Sequence, residues 1–258
     1  MQSLVDHVIV DIACGTGHNL ALSESMKMYS WGTGSQGELG IGPENLGNYQ
    51  DAQPVNFEGK ILGLSAGVVH SCAITAEKRL LVWGNNRQAQ LGYDKKLKEA
   101  YNPILFGGLL EAKMINPDLD KTENQDRVIH DFGLGINYLN VKCGSAMTVA
   151  QIDKSPYLLI WGYNSFKAWG FPDLFDKDPP VMFQAVGSIL YVLTEKRIFY
   201  RINAEERSYE RTEEIEVEGF DEVMEQGGAV HSMACGSDFI LTTNAAGNIY
   251  SKGANKFG

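Results

Sequence analysis

Gly32-Thr33-Gly34-Ser35-Gln36-Gly37 spells GxGxxG. In a dinucleotide site that spacing lets backbone amides approach a pyrophosphate, with a strand before the turn and a helix after it. Here Glu38-Leu39-Gly40-Ile41-Gly42-Pro43 follows, which cannot sustain a helix. No nucleotide site is expected there. His18 and His70 each follow a Gly by three residues. As a pair they could act as a base or as metal ligands. As separate residues they could tie an inner strand by hydrogen bonds. Met147, Leu190 and Phe239 hold the same place in other copies, which favours a packed, structural histidine. Cys14, Cys143 and Cys235 each stand directly before a Gly. They could form a metal or redox cluster, or serve as small apolar side chains on inner strands. With Cys72 they make four cysteines, and none forms a CxxC pair. No Ser-His-Asp arrangement can be built from the sequence. The expectation is therefore no catalytic residue, no cofactor and no metal.

The elements that carry these residues are repeats. Asp11 to Gly40 and Leu62 to Gly92 share Gly, two residues, His, an apolar alternation, Trp-Gly and a closing Leu-Gly. Gly15 to Gly32 and Gly67 to Gly84 are both 17 residues apart, and Gly32 to Gly40 and Gly84 to Gly92 are both 8. A third copy places Gly144 18 residues before Gly162, with Gly170 another 8 on. A fourth starts at Gly187 and has Tyr200-Arg201 in place of Trp-Gly. A fifth runs 17 residues from Gly236 to Gly253. Five copies in 258 residues give roughly 50 residues per unit, the size of a propeller blade. Each copy reads as a hairpin: two short β-rich runs around a turn such as Ala76-Glu77-Lys78 or Asn244 to Asn248. The one stretch with a helical pattern is Leu109 to Ile115, enough for two turns.

Charge and composition exclude several functions. The chain carries 22 basic against 32 acidic residues, a net of −10, with no basic tail. Duplex binding needs clustered positive charge, so no nucleic-acid partner is expected. No run approaches 18 apolar residues and no secretory leader is seen, so the reading is an intracellular protein off the membrane. The hydrophobic fraction of 44% supports a sizeable core. The expected compartment is the cytoplasm, with cytoskeletal or ciliary structures included, rather than the nucleus.

These residues resemble the regulator of chromosome condensation repeat family. The likeness rests on Gly15/His18/Trp31-Gly32/Gln36 with Glu38-Leu39-Gly40, and on Gly67/His70/Trp83-Gly84/Asn86 with Gln90-Leu91-Gly92. It continues at Gly144/Trp161-Gly162/Asn164, where Met147 replaces His and Trp169 replaces Leu, and at Gly236/Gly253/Asn255. The resemblance implies an all-β propeller of four-stranded blades. Motifs fall near 9–40, 62–92, 141–170, 183–202 and 232–258. The family usually builds seven blades, so 1–258 is either a single propeller domain or a fragment of one. Around a propeller axis, equivalent cysteines would be splayed apart, which argues against shared ligation. The Trp-Gly tryptophans are expected in core or inter-blade packing.

Two features fall outside the repeats. The segment 107–135 is a loop insertion between the second and third copies. Long loops on a rigid scaffold are where binding concentrates. Leu109, Leu110, Met114 and Ile115 would be its apolar anchors, with Asp118, Asp120 and Arg127 beside them. From Asn203 to Glu225 ten acids face Arg207 and Arg211, a net of 2 − 10 = −8. Thr212 to Glu218 alternates like an outer strand with one wet face. The favoured function is a non-catalytic protein–protein interaction scaffold in a larger assembly. The alternative is a guanine-nucleotide exchange factor for a Ran-like small GTPase, the founding activity of the family. No exchange residue maps onto this chain.

Overall fold

The period of two in each repeat becomes a strand, and each Gly/Asn-rich stretch becomes its turn. The computed structural model describes residues 4–94, 96–107, 111–114, 128–130, 136–153, 155, 157–170, 172–175, 177–196, 198–212, 230–236 and 239–253. They form five sheets, numbered here as blades in chain order. The all-β expectation holds; the one helix described, α1, is the single turn Pro172–Phe175. Two compact units divide the chain, Met1–Asp176 and Lys177–Gly258.

The first unit holds three blades. Blade 1 is β1 (Ile9–Cys14), β2 (His18–Ser23), β3 (Met28–Thr33) and β4 (Asn48–Pro54), paired in that order and all antiparallel. Blade 2 repeats it with β5 (Ile61–Ala66), β6 (His70–Thr75), β7 (Leu80–Asn85) and β8 (Glu99–Leu105). Two more strands, β9 (Glu111–Met114) and β10 (Val128–His130), come from the insertion. Blade 3 is β11 (Tyr138–Cys143), β12 (Met147–Ile152), β13 (Leu158–Gly162) and β14 (Ser165–Gly170). The insertion extends it to six strands, in the order β10-β9-β14-β13-β12-β11. There β9 lies parallel to β14, with Met114 opposite Gly170. The helical turns read at Leu109 to Ile115 give way to this strand at Glu111–Met114. An open strand edge supplies hydrogen bonds that an isolated two-turn helix lacks.

Blade 3 departs from the repeat at a second place. The 8-residue step from Gly162 to Gly170 reads as the same closing turn that ends at Gly40 and Gly92. Instead Tyr163 and Asn164, at φ 47° and 62°, turn the chain directly into β14. Two successive positive φ angles make the tight hairpin turn whose twist matches the strands it joins. Trp169 therefore sits in a strand.

The second unit holds two sheets. Blade 4 is β15 (Pro180–Val186), β16 (Ile189–Thr194), β17 (Phe199–Asn203) and β18 (Ser208–Thr212). Blade 5 is β19 (Val230–Cys235), β20 (Phe239–Asn244) and β21 (Ile249–Gly253). The fourth strand of blade 4 is Ser208–Thr212; the alternation read after Thr212 lies outside the described residues.

Each unit has its own core. In the first, Leu20, Ile61, Leu64, Leu80, Trp83 and Val141 belong to one buried cluster drawn from all three blades. In the second, Leu193, Phe199 and Met233 pack together. One irregularity recurs in all five blades. The first strand of each slips register at its second residue: Val10, Leu62, Leu139, Val181 and His231. A bulge leaves its extra residue unpaired and turns it away from the ladder. All five of these side chains are exposed, and four are apolar.

Candidate functional site

The bulges build a surface. In the first unit, Val10, Leu62 and Leu139 stand exposed on the consecutive first strands β1, β5 and β11. Between those strands runs an open groove of about 300 Å³, lined by Asp11, Leu62, Tyr138, Leu139, Lys78 and Lys142 among others. Lys78 is held at its rim by Asp153, 3.2 Å away. The floor is fixed by main chain: Tyr138 N–H donates to Lys78 O at 2.8 Å, and Ile61 N–H to Met26 O at 3.1 Å. These bonds tie the start of each blade to a turn of the one before. Tyr138 lines the groove with its hydroxyl buried and unpartnered, and burial raises its pKa. The groove holds no nucleophile–base pair. Its chemistry is apolar contact with a polar margin, which is the chemistry of binding.

The repeated histidines lie elsewhere, in the joints between blades. His18 Nε2 is 2.8 Å from Ser71 Oγ, and Ser71 Oγ is 2.9 Å from Glu38 O. His70 Nε2 is 3.0 Å from Thr148 Oγ1, and Thr148 Oγ1 is 2.7 Å from Gln90 O. A carbonyl only accepts, so each hydroxyl donates to it and accepts from the ring. Both rings therefore carry the proton on Nε2, and both Nδ1 atoms are buried without a partner. Each carbonyl also takes an indole N–H: Trp83 Nε1 at 2.9 Å from Glu38 O, and Trp161 Nε1 at 3.0 Å from Gln90 O. Histidine, hydroxyl, carbonyl and indole thus stitch blade 1 to blade 2 and blade 2 to blade 3. Burial, helped by the nearby His70 ring, lowers the His18 pKa from its ordinary 6.5 to about 4, so it stays neutral in the fold. The structural reading of these histidines fits this geometry. Sequence reasoning did not foresee that they bond across blades, because Ser71 and Thr148 carry no motif signal.

The cysteines gather differently from their sequence positions. Cys143 does not meet Cys14, which is exposed; it joins Cys72 and His70. Two sulfurs and a ring nitrogen lie within 4.8 Å of one another, all buried. That is a soft donor set for a thiophilic ion, one ligand short of a structural zinc site. Burial pushes the Cys72 thiol well above its ordinary range, and Cys143 Sγ lies 3.7 Å from Ser65 O. The three side chains fill the joint between blades 2 and 3. Cys72 stood outside the aligned cysteines, so only folding reveals the trio.

Of the residues expected to bind a partner, Met114 lies in β9, where its backbone is described. Leu109, Leu110, Ile115, Asp118, Asp120 and Arg127 lie outside the described residues. No helix among the described residues is long and apolar enough to cross a membrane.

The profile of the Regulator of chromosome condensation (RCC1) repeat matches residues 9–38 and 61–90, which span the first three strands of blades 1 and 2. The chain carries repeats of the regulator of chromosome condensation family. Among curated relatives, a bifunctional serine/threonine-protein kinase/NEDD4-like E3 ubiquitin-protein ligase of Dictyostelium discoideum is 28% identical over 223 residues, 76% of this chain and 10% of that protein. The serine/threonine-protein kinase Nek8 of Danio rerio is 32% identical over 156 residues, 60% of this chain and 20% of that protein. The chain thus spans a fifth or less of these relatives. Among solved structures, human WBSCR16 superposes with a TM-score of 0.67 at 18% identity, over 92% of this chain and 58% of that one. Prp20p of Saccharomyces cerevisiae superposes at 0.65 and 17%, over 95% and 57%. The likeness to these structures is one of fold, the β-propeller of the regulator of chromosome condensation type.

Proposed function

We propose that this regulator of chromosome condensation repeat chain is a non-catalytic protein-interaction module that works within a larger assembly. The observation that carries the reading is the groove lined by Leu62 and Leu139, with Val10 exposed on β1 next to its lining residue Asp11, one bulge residue per blade. Exposed apolar side chains on a rigid sheet are a ready contact for an apolar partner segment. The relatives support it. The kinase and ligase that match this chain do so over a fifth or less of their length, as expected of an accessory module beside a catalytic region. Prp20p is described with binding properties to Gsp1p and histones, so the fold presents protein-binding surfaces. The insertion 107–135 is a second contact region, through Leu109, Leu110, Met114 and Ile115 with Asp118, Asp120 and Arg127. The proposed compartment is the cytoplasm.

Two variants and one assay test this reading. In the first variant Val10, Leu62 and Leu139 become Asp; in the second the four apolar insertion residues become Ser. The first should keep the thermal midpoint, because substitutions at exposed positions cost within about 0.5 kcal/mol; for the second, an unchanged midpoint is the measured condition that makes it a contact region and not core. Co-purification with the native assembly should drop. Unchanged co-purification in both would refute the reading. The assay is fluorescent-nucleotide release from a Ran-type GTPase, which the chain should leave unaccelerated. Acceleration of about a hundredfold, some 2.7 kcal/mol of barrier, would establish an exchange factor instead.

A further inference from the structure

The two joints of the first unit share a frame but not a filling. Strand register gives the first joint His18, Leu20 and Ala66 at the places where the second holds His70, Cys72 and Cys143. The second joint thus carries two sulfurs where the first carries only hydrocarbon. His70 and Cys72 stand two residues apart on β6, so both side chains leave the same face of that strand. Cys143 comes from β11 in the next blade. All three are buried, and both sulfurs and a ring nitrogen lie within 4.8 Å of one another.

The trio is equipped for more than packing. Thr148 Oγ1 donates to Gln90 O and so accepts the His70 proton at Nε2. The lone pair of the ring is then on Nδ1, which is buried with no hydrogen-bond partner. A buried acceptor left this way has lost water and gained nothing in return. Thiols are weak hydrogen-bonding groups, whereas thiolate and neutral imidazole are strong electron-pair donors to a soft cation. The set brings no carboxylate, so hard ions that take six or more oxygens do not fit it. Among the described residues it numbers three donors, two sulfurs and one nitrogen, where structural zinc takes four. Copper(I) is the thiophilic ion that so small and soft a set suits best.

We infer that His70, Cys72 and Cys143 form a buried binding site for copper(I) in the joint between blades 2 and 3. Each sulfur that binds as thiolate releases its thiol proton to solvent. Nδ1 gives its lone pair, and Nε2 goes on donating to Thr148 Oγ1, so the frame between the blades is kept. Thr148 thereby fixes the ring and its tautomer, as a hydrogen bond on the far nitrogen of a ligating histidine generally does. The ion ties β6 to β11 and so clamps one blade to the next. The aligned cysteines Cys14, Cys143 and Cys235 could not announce the site, because its second sulfur is Cys72. None of the three ligands lines the groove, so the site stands or falls independently of the interaction reading.

The probe is cuprous ion itself. Cys14, which is exposed, and Cys235, which is partly so, are changed to Ser so that no other sulfur takes part. This chain is refolded from urea without oxygen, and copper(I) is offered in competition with a chromophoric chelator. The expected result is one equivalent held per chain and a thermal midpoint several degrees above that of the copper-free chain. X-ray absorption should show two sulfurs and one imidazole around the metal. Cys143→Ala, which copies Ala66 of the first joint, and Cys72→Ala should each lose the copper and the rise in midpoint while the copper-free variants keep their circular dichroism. Should either variant fail to fold, the absorption spectrum of the parent chain decides, and fewer than two sulfurs or no imidazole overturns the inference. It is equally overturned if the chelator strips all the copper, if Cys143→Ala holds copper as tightly as its parent, or if zinc is retained against a chelator and copper(I) is not.

Discussion

The joint between blades 1 and 2 and the joint between blades 2 and 3 share one hydrogen-bond frame and differ in what fills it. In the first, His18 reaches Ser71 beside Leu20; in the second, His70 reaches Thr148 beside Cys72 and Cys143. The frame recurs because it satisfies main-chain and indole groups that burial would otherwise strand. The filling varies because small apolar residues of similar volume substitute at little cost. A repeat thus conserves polar geometry and lets packing drift. That drift brought two thiols and an imidazole together at the second of these two joints.

The largest expected effect is on the shared frame. Gly15→Ala and Gly67→Ala each drive a methyl into a neighbouring carbonyl, at 2.4 and 2.5 Å, and into the histidine ring at 2.4 Å. Each should cost about 3 kcal/mol or more in a urea melt, and the two should cost alike. A tolerant joint at either place would break the claim that both are built the same way.

Next comes pH. His18 titrates at about 4 in the fold against an ordinary 6.5. Between those values the unfolded chain binds a proton that the folded chain refuses. Stability is therefore full above pH 6.5 and falls as pH drops toward 4, by about 3 kcal/mol in all. His18→Met, which copies Met147 of blade 3, should flatten this part of the profile.

The smallest effect is on the filling. Cys143→Ala copies Ala66 of the first joint and should cost about 1 kcal/mol. A cost several times larger would mean that the sulfur pair does more than pack.

Much of this architecture was legible in the chain. The spacings of Gly15, Trp31-Gly32 and their copies gave the blades, their number and their hairpins, because short-range turn chemistry and alternation act within a few residues. The insertion was located but misread at Leu109 to Ile115, since whether a short apolar stretch makes helix or strand depends on the edge available to it. The groove left only the trace of exposed Leu62 and Leu139, whose bulges no local pattern marks.

By itself the sequence determined the repeat: where strands start, where glycines must stand, and which tryptophans are equivalent. Those are local constraints of sterics and period. Tertiary structure alone decided that His18 meets Ser71, that Cys72 meets Cys143, and that Trp31 stays half-exposed while Trp83 and Trp161 are buried. These are contacts between residues far apart along the chain. Identical motifs take different environments there because burial depends on the neighbouring blade, which the motif does not encode.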